Sequence, residues 1–510
     1  MCDAGFGLVE RRVSYGVILV AILCGLLIVT GRAHAAELAG TRPNIVFIIS
    51  DDQGYGDLGG HGNPILKTPN LDRLAEGSVR FVDFQVSPTC SPTRASLMTG
   101  RHEFRSGVTH TIHERERLAL QATTVVQLLR EANYSTGIFG KWHLGDEAEY
   151  LPDRRGFQEV FIHGAGGIGQ SYPGSCGDAP GNGYFDPVIL HNGVFEQTHG
   201  YCTDVFFSQA MDWICTRPKD QPFFAYISLN APHMPLHVPP GYADLYRDKV
   251  YSDKAPSENV AKFFGMISNI DDNVGRLMRR LTAEGLDRNT LVIYMNDNGG
   301  TVGTPIHNAG MRGAKVTPHW GGVRGMSFWH WPGKLQPADV SSLTAHIDLF
   351  PTLASLCGAN IPAEVAGKLE GFSLLPLLEN PQASWHDDRK LVTHVGRWEV
   401  GAPPEKLGPC SVRWRQYLMV REKNRWSLYD LRNDPGEQHD LAGSQPEVVE
   451  MLSRYYDQWW SDTEPQLVNE SAHKTAPKYN SFHERYWKQY RGPGPNRTPP
   501  PTGFPLTDVK

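Results

Sequence analysis

The sequence predicts an α/β protein. A large domain with a mixed, mostly parallel sheet flanked by helices is followed by a smaller domain with an antiparallel sheet and a helix. Three observations carry this reading. Short apolar, β-branched runs alternate with helix-patterned stretches over most of the 510 residues. The clearest runs are apolar throughout, as strands covered on both faces must be. After about residue 385 the pattern changes to strand-like runs around a Lys-Asn turn, followed by one amphipathic helix.

The elements can be justified in chain order. Arg11 and Arg12 precede an apolar run over residues 17–29, and Ala-His-Ala ends at Ala35. That layout predicts a cleaved signal peptide over residues 1–35, export to the periplasm or exterior, and no stable membrane association afterwards. The large domain is expected over residues 40–384, with its first strand, NIVFIIS, at 44–50. Residues 68–78 open with Thr-Pro and read as a helix, as do residues 123–133 with their helical apolar spacing. Strands follow at 135–140, 223–230 and 291–296, and a long amphipathic helix closed by glycine occupies 262–285. The smaller domain is expected over 385–490, with two strands inside 415–431 and a helix over 446–462. Residues 491–510 are too rich in Pro and Gly for a packed core and read as a surface tail.

Composition narrows the function classes. The net charge is −6 and no basic stripe is present, which argues against a nucleic-acid partner. Beyond residue 35 stand Cys90, Cys176, Cys202, Cys215, Cys357 and Cys410, scattered and without a CxxC zinc pattern. Export permits disulfides, and Cys176 with Cys202 could close a loop, but a chain this long does not need staples.

The informative pattern lies where the strands end. The first is followed by Asp51 and Asp52, the second by Lys141 and His143, the third by His233, and the fourth by Asp297 and Asn298. Ligands of open α/β sheets sit beyond the carboxyl ends of the strands. Four such ends would gather these groups in one crevice. Three carboxylates and an amide oxygen suit a hard divalent cation, Ca²⁺ or Mg²⁺, rather than zinc. Arg94, Lys141, His143, His233 and Lys315 add positive charge, which suits an anionic substrate and a departing oxygen. Cys90 stands just ahead of a helix whose N-terminus would favour a thiolate or a bound anion. These residues point to an exported, metal-assisted hydrolase of an anionic ester, and leave sulfate and phosphate both open.

The blocks themselves are recognisable. CSPTRASLMTGR, from Cys90, resembles the signature of the type I sulfatases of the alkaline phosphatase superfamily. GKWHLG, DDQGYGD, APHMPLHVP, DNGG, MRGAK and YDLRNDPGEQHDLA resemble that family's other blocks, between Pro43 and Ala442. The resemblance implies that Cys90 is converted to formylglycine by a formylglycine-generating enzyme that reads Cys-x-Pro-x-Arg, here Cys90, Pro92 and Arg94. It implies an arylsulfatase-like cleavage of sulfate monoesters through a covalent sulfo-enzyme intermediate. A phosphonate monoester or phosphodiester hydrolase of the same superfamily is the alternative.

Carried over residue by residue, the resemblance makes Asp51, Asp52, Asp297, Asn298 and modified Cys90 the Ca²⁺ ligands, with Mg²⁺ the other candidate ion. Arg94 would hold the formylglycine, Lys141 and Lys315 would grip sulfate, His143 would act as base, and His233 would protonate the leaving oxygen. Gln170, in a glycine-rich run, and His319 and Arg324, in HWGGVRGMSFW, are the candidate substrate contacts. The last segment departs from the family's usual Trp-Glu-Gly-Gly and Val-Pro, which bears on the leaving group rather than the chemistry. The expected substrate is a sulfated small molecule or carbohydrate.

Overall fold

The computed structural model describes residues 38–490, apart from 173–174, 250–256, 423 and 476–479. The signal peptide expected over 1–35 and the tail expected over 491–510 lie outside the described residues. Along the chain, β1 (Asn44–Ser50) leads to α1 (Pro69–Glu76), the short strands β2 (Val79–Phe81) and β3 (Phe84–Gln85), and α2 (Cys90–Thr99). Next come α3 (Val125–Glu131), β4 (Ser135–Lys141), β5 (Glu159–His163), the hairpin of β6 (Val188–His191) and β7 (Val194–Gln197), α4 (Cys202–Cys215) and β8 (Phe223–Ser228). Then follow α5 (Glu258–Ala283), β9 (Thr290–Asn296), β10 (Arg324–Gly325), β11 (Ser327–His330), β12 (Ala338–Val340), β13 (Thr344–Ala345) and α6 (Leu349–Leu356). The chain closes with β14 (Lys390–His394), β15 (Cys410–Trp414), β16 (Tyr417–Glu422), β17 (Arg425–Asp430), α7 (Pro446–Thr463) and α8 (Ser481–Tyr490).

The main sheet has ten strands in the order β12-β2-β11-β9-β1-β8-β4-β5-β6-β7. β1 lies at its centre, parallel to both neighbours, with Ile45 opposite Phe224 on β8 and Leu291 on β9. All seven of its residues are buried because successive side chains serve two different cores. Ile45, Phe47 and Ile49 join one core, which α3 and α6 cover. Val46 and Ile48 join the other, which α1, α4 and α5 cover. That two-sided burial is why the strand reads as an unbroken apolar run. Since β4, β5, β8 and β9 run parallel to β1 through their pairings, their carboxyl ends share one edge.

The local signals explain the boundaries. Thr124 caps α3 in a reciprocal capping box with Gln127. α5 begins four residues before the expected start at residue 262, because the Ser257 side chain accepts from the Val260 N–H. It ends before Gly285, whose φ of 67° closes the helix in the left-handed region.

The C-terminal sheet is antiparallel in the order β14-β15-β16-β17, so two strands precede the pair expected at 415–431. Val412, Met419 and Leu428 on its face pack with Leu452, Tyr456, Trp459 and Trp460 of α7. α8 leaves this sheet and seals the far edge of the main one. Phe482 and Tyr486 meet Phe195 of β7 edge to face, and Gln489 bonds both the N–H and the carbonyl of Phe195 at 2.7 Å. An exposed edge strand is thereby covered. The six cysteines among the described residues, Cys176 and Cys202 included, are free thiols. Among the described residues no helix is long and apolar enough to cross a membrane.

Candidate active site

The shared strand edge assembles the polar groups. Directly after β1, Asp51 keeps the backbone paired, donating its N–H to Ala231 O at 3.0 Å. Asp52 then turns into the left-handed region at φ 70°, and its N–H meets Asp297 Oδ1 at 3.2 Å. The two loops beyond β1 and β9 cross at glycine: a Cβ on Gly54 would lie 2.6 Å from Gly300 Cα. Lys141, the last residue of β4, donates its ammonium to Asp51 Oδ2 at 2.6 Å. Lys315 does the same to Asp52 Oδ1, which also accepts from Asn298 at 3.0 Å.

Cys90 is the first residue of α2 rather than the residue before it, with Thr89 as the cap. Arg94 lies one turn on, on the same face. Its guanidinium donates to Asp297 Oδ2 at 2.9 Å, to the Leu229 carbonyl at 3.3 Å and to the Ser228 hydroxyl. Every residue of α2 is buried, so the helix presents no polar stripe and is held entirely by its surroundings. The ligand atoms of Asp51, Cys90 and Asp297 lie within 4.8 Å of one another. Asp51 Oδ1 and Asn298 Oδ1 are buried without a hydrogen-bond partner. A buried acceptor left unpaired is costly. Two such oxygens amid carboxylates match the donor set of a hard divalent cation.

The cluster therefore combines an anion-loving cation set with an oxygen-rich pocket at the end of a parallel sheet. The sequence pattern of the Sulfatase family matches residues 43–359, more than half the chain. The chain belongs to the sulfatase family. The C-terminal pattern of N-sulphoglucosamine sulphohydrolase matches residues 323–459. The sulfatase is 33% identical to arylsulfatase A of Homo sapiens over 467 residues, 83% of this chain and 89% of that protein. It is 31% identical to N-acetylgalactosamine-6-sulfatase of Mus musculus, over 84% of this chain and 88% of that one. The crystal structure of Ps i-CgsB in complex with k-i-k-neocarrahexaose superposes with a TM-score of 0.72 at 28% identity, covering 85% of this chain and 98% of that one. The phosphonate monoester hydrolase of Agrobacterium radiobacter shares the fold at a TM-score of 0.58 and 19% identity, over 84% of this chain and 96% of that one. The protein is thus a type I sulfatase of the alkaline phosphatase superfamily, an enzyme that hydrolyses sulfate esters.

Electrostatics in the sulfatase site follow from crowding. Burial pushes the Asp51 carboxyl up to about 6, against the pull of Lys141. Burial and the neighbouring Asp51 push Asp297 to about 6, against Arg94. Asp52 goes the other way: burial would raise it, but Lys315 and His233 hold it below the usual carboxylate range. For Cys90, burial opposes ionisation, yet Lys141 and Lys315 leave the thiol pKa lowered. Burial and Lys141 hold His143 well below the ordinary imidazole value, which favours the neutral ring. Its Nε2–H donates to Thr111 O at 2.8 Å, which leaves Nδ1 as a buried lone pair without a partner. His233 donates Nδ1–H to Met234 O at 2.6 Å and turns Nε2 to Asp52 Oδ2 at 3.8 Å. Burial lowers its pKa, with Asp52 opposing.

Of the three expected substrate contacts, His319 and Arg324 are engaged by other partners. Gln170 lies over Gly167, where a Cβ would meet its Cδ at 2.9 Å, and its Oε1 accepts from the Tyr172 hydroxyl at 3.4 Å. His319 is not turned to the cluster: both ring nitrogens are engaged, one by Glu437 and the other by Glu422 at 3.0 Å. Arg324 is likewise engaged elsewhere, sandwiched by Tyr55 at 3.8 Å and Trp320 at 4.3 Å while donating to the Val82 carbonyl. The glycine-rich run has a steric purpose that spacing alone did not reveal. Gly166 faces the His143 ring, and a Cβ there would lie 2.6 Å from Cε1. Sequence reading also missed Tyr172 and Arg397, which carry no motif and act electrostatically with Cys90 from loops far from it in the chain.

Proposed function

We propose that this sulfatase cleaves sulfate monoesters through a formylglycine formed from Cys90, with Ca²⁺ bound beside it. The observation that carries the reading is the convergence of Asp51, Cys90 and Asp297 within 4.8 Å, next to two unpartnered buried oxygens. Asp51, Asp52, Asp297 and Asn298 would hold the ion, and modified Cys90 would complete the set. Bound Ca²⁺ would supply Lewis-acid stabilisation of negative charge. A hydrated aldehyde at residue 90 would supply a hydroxyl nucleophile and a second hydroxyl that a thiol lacks.

The chain's own side chains do the rest. Lys141 and Lys315 now neutralise Asp51 and Asp52. With a cation on those carboxylates, their ammonium groups are available to sulfate oxygens. Arg94, 1% exposed, ties Asp297 to the helix that carries residue 90 and so fixes their mutual geometry. His143 offers Nδ1 as the proton acceptor. His233 is the donor to the departing alcohol oxygen, and the Asp52 carboxylate opposes the burial that lowers its pKa. Export after loss of residues 1–35 and a sulfated small molecule or carbohydrate as substrate complete the reading. The 31% identity to a relative named for a sulfated sugar supports the carbohydrate class.

The decisive measurement is the mass of the Cys90 peptide from active, native enzyme, which should show an aldehyde in place of the thiol. A fully active enzyme with an unmodified thiol would overturn the reading. Cys90→Ala should lower turnover of an aryl sulfate by at least ~10³-fold.

A further inference from the structure

Arg397 sits on the loop between β14 and β15, and its position is set with unusual firmness. The fully buried Arg115 donates to the carbonyls on both sides of it, Gly396 O at 2.6 Å and Trp398 O at 3.0 Å. Arg115 also lies over the Trp398 ring at 4.5 Å and pairs with Glu470 at 3.2 Å, which in turn accepts from the Trp398 indole at 2.7 Å. Gly396, at φ 71°, packs where a Cβ would strike Thr109 O at 2.2 Å. The peptide on each side of Arg397 is therefore clamped, and only its side chain projects.

That side chain points to the site. Its NH2 lies 3.5 Å from Thr111 Oγ1, and the carbonyl of Thr111 is the anchor of His143. Among the described residues no carboxylate forms an ion pair with Arg397. Burial lowers its pKa, and the ionisable groups that act against this are Cys90, Tyr172 and Asp52. Tyr172 answers from the opposite loop. Burial pushes its hydroxyl up to about 12, with Cys176 and Cys90 adding to the rise and Lys315 and Arg397 opposing. Arg397 also adds to the depression of His110, whose pKa burial drives to about 2. A half-buried guanidinium without a counter-charge, among other cations, is a site prepared for an anion. On the proposed reading the transferring sulfate is served by Lys141 and Lys315, which pair with Asp51 and Asp52. Arg397 bonds the side chain of Thr111, the same residue whose carbonyl anchors His143.

We propose that Arg397 is a specificity residue that receives a second anionic group, a carboxylate or a further sulfate, on the alcohol half of the ester cleaved at Cys90. Arg115 is its positioning residue. The inference rests on the sulfatase reading of the Cys90 site, and the test separates the two.

Three probes are compared: nitrophenyl sulfate, a nitrophenyl sulfate with a ring carboxylate beside the ester, and one with a second ring sulfate there. Wild-type turnover of the first tests the Cys90 reading by itself. The ratio of kcat/KM for each dianionic probe to that for the plain probe tests Arg397, and it is independent of how much variant folds. Arg397→Gln is expected to lower that ratio about 10- to 100-fold for the matching anion, mainly through KM. Arg397→Lys should restore part of it, and the probe with the larger loss identifies the group. An unchanged ratio in Arg397→Gln for both dianionic probes overturns the proposal, including the case where all three probes slow equally. That last result would place Arg397 on the transferring sulfate instead.

Discussion

At the scale of the residue, the site is governed by what is missing from a side chain as much as by what is present. Gly166 leaves room for the His143 ring, and one methyl group there would come within 2.6 Å of Cε1. Gly166→Ala is expected to lower kcat about 10- to 100-fold while leaving the thermal midpoint nearly unchanged, because only the seat of His143, the proposed base, moves. A melt showing a large loss of stability instead would assign the glycine to folding. The strand-end residues Asp51, Asp52, Lys141, Asp297 and Asn298 were legible because polar groups directly after a buried apolar run have few reasons to be there. Arg397 was illegible: it lies about 300 residues beyond Cys90, on a loop whose aim depends on Arg115, Glu470 and Trp398. His319 and Arg324 look like free loop residues in the sequence. Their partners Glu422, Glu437 and Tyr55 are far from them in the chain, and no spacing rule could have supplied them.

At the scale of the element, two helices show how context replaces pattern. α2 is buried along its whole length and has no stripe, so its limits came from the Gly100 stop and not from periodicity. α8 works as a cover for β7, and the reason it was not read from sequence is that its apolar face, Phe482 and Tyr486, is short and lies just before the Pro-rich segment. Removing residues 481–510 should uncover Phe195 and the hydrogen-bonding edge of β7. Light scattering of the shortened enzyme is expected to report self-association, and its unfolding midpoint should fall. A monomeric, equally stable truncation would show that β7 protects its own edge. The strands β14 and β15 escaped notice for a related reason: each is only five residues long, and a loop of fifteen residues separates them.

At the scale of the whole molecule, the site is a store of unfavourable charge that the fold holds ready. Three carboxylates crowd the edge of the sheet, and burial raises two of them to about 6. A divalent cation that binds only the folded chain relieves this crowding and stabilises the fold. Calcium at a hundredfold excess over Kd should contribute about 2.7 kcal/mol, seen as a rise in the unfolding midpoint that EGTA reverses. Identical midpoints in EGTA and in calcium would remove Ca²⁺ from the site. The architecture itself was readable at this scale, since all four expected strands and the switch to an antiparallel C-terminal sheet are present. What could not be read was the return of the chain's end to the main sheet, because a contact between residues 195 and 482 leaves no local trace.

If residue 90 is converted to formylglycine as proposed, the burial of α2 fixes an order of events. Cys90, Pro92 and Arg94 are all inside the folded protein, Cys90 with 2% of its surface exposed. An enzyme that must read those three residues in an extended chain has access only before the helix docks. On the proposed reading, maturation would be a race between modification and folding, and a molecule that folded first would keep its thiol. Folded Cys90 protein given the modifying enzyme should stay unconverted, while the isolated segment spanning residues 88–102 is converted. Conversion of the folded form at a similar rate would show that α2 opens on its own.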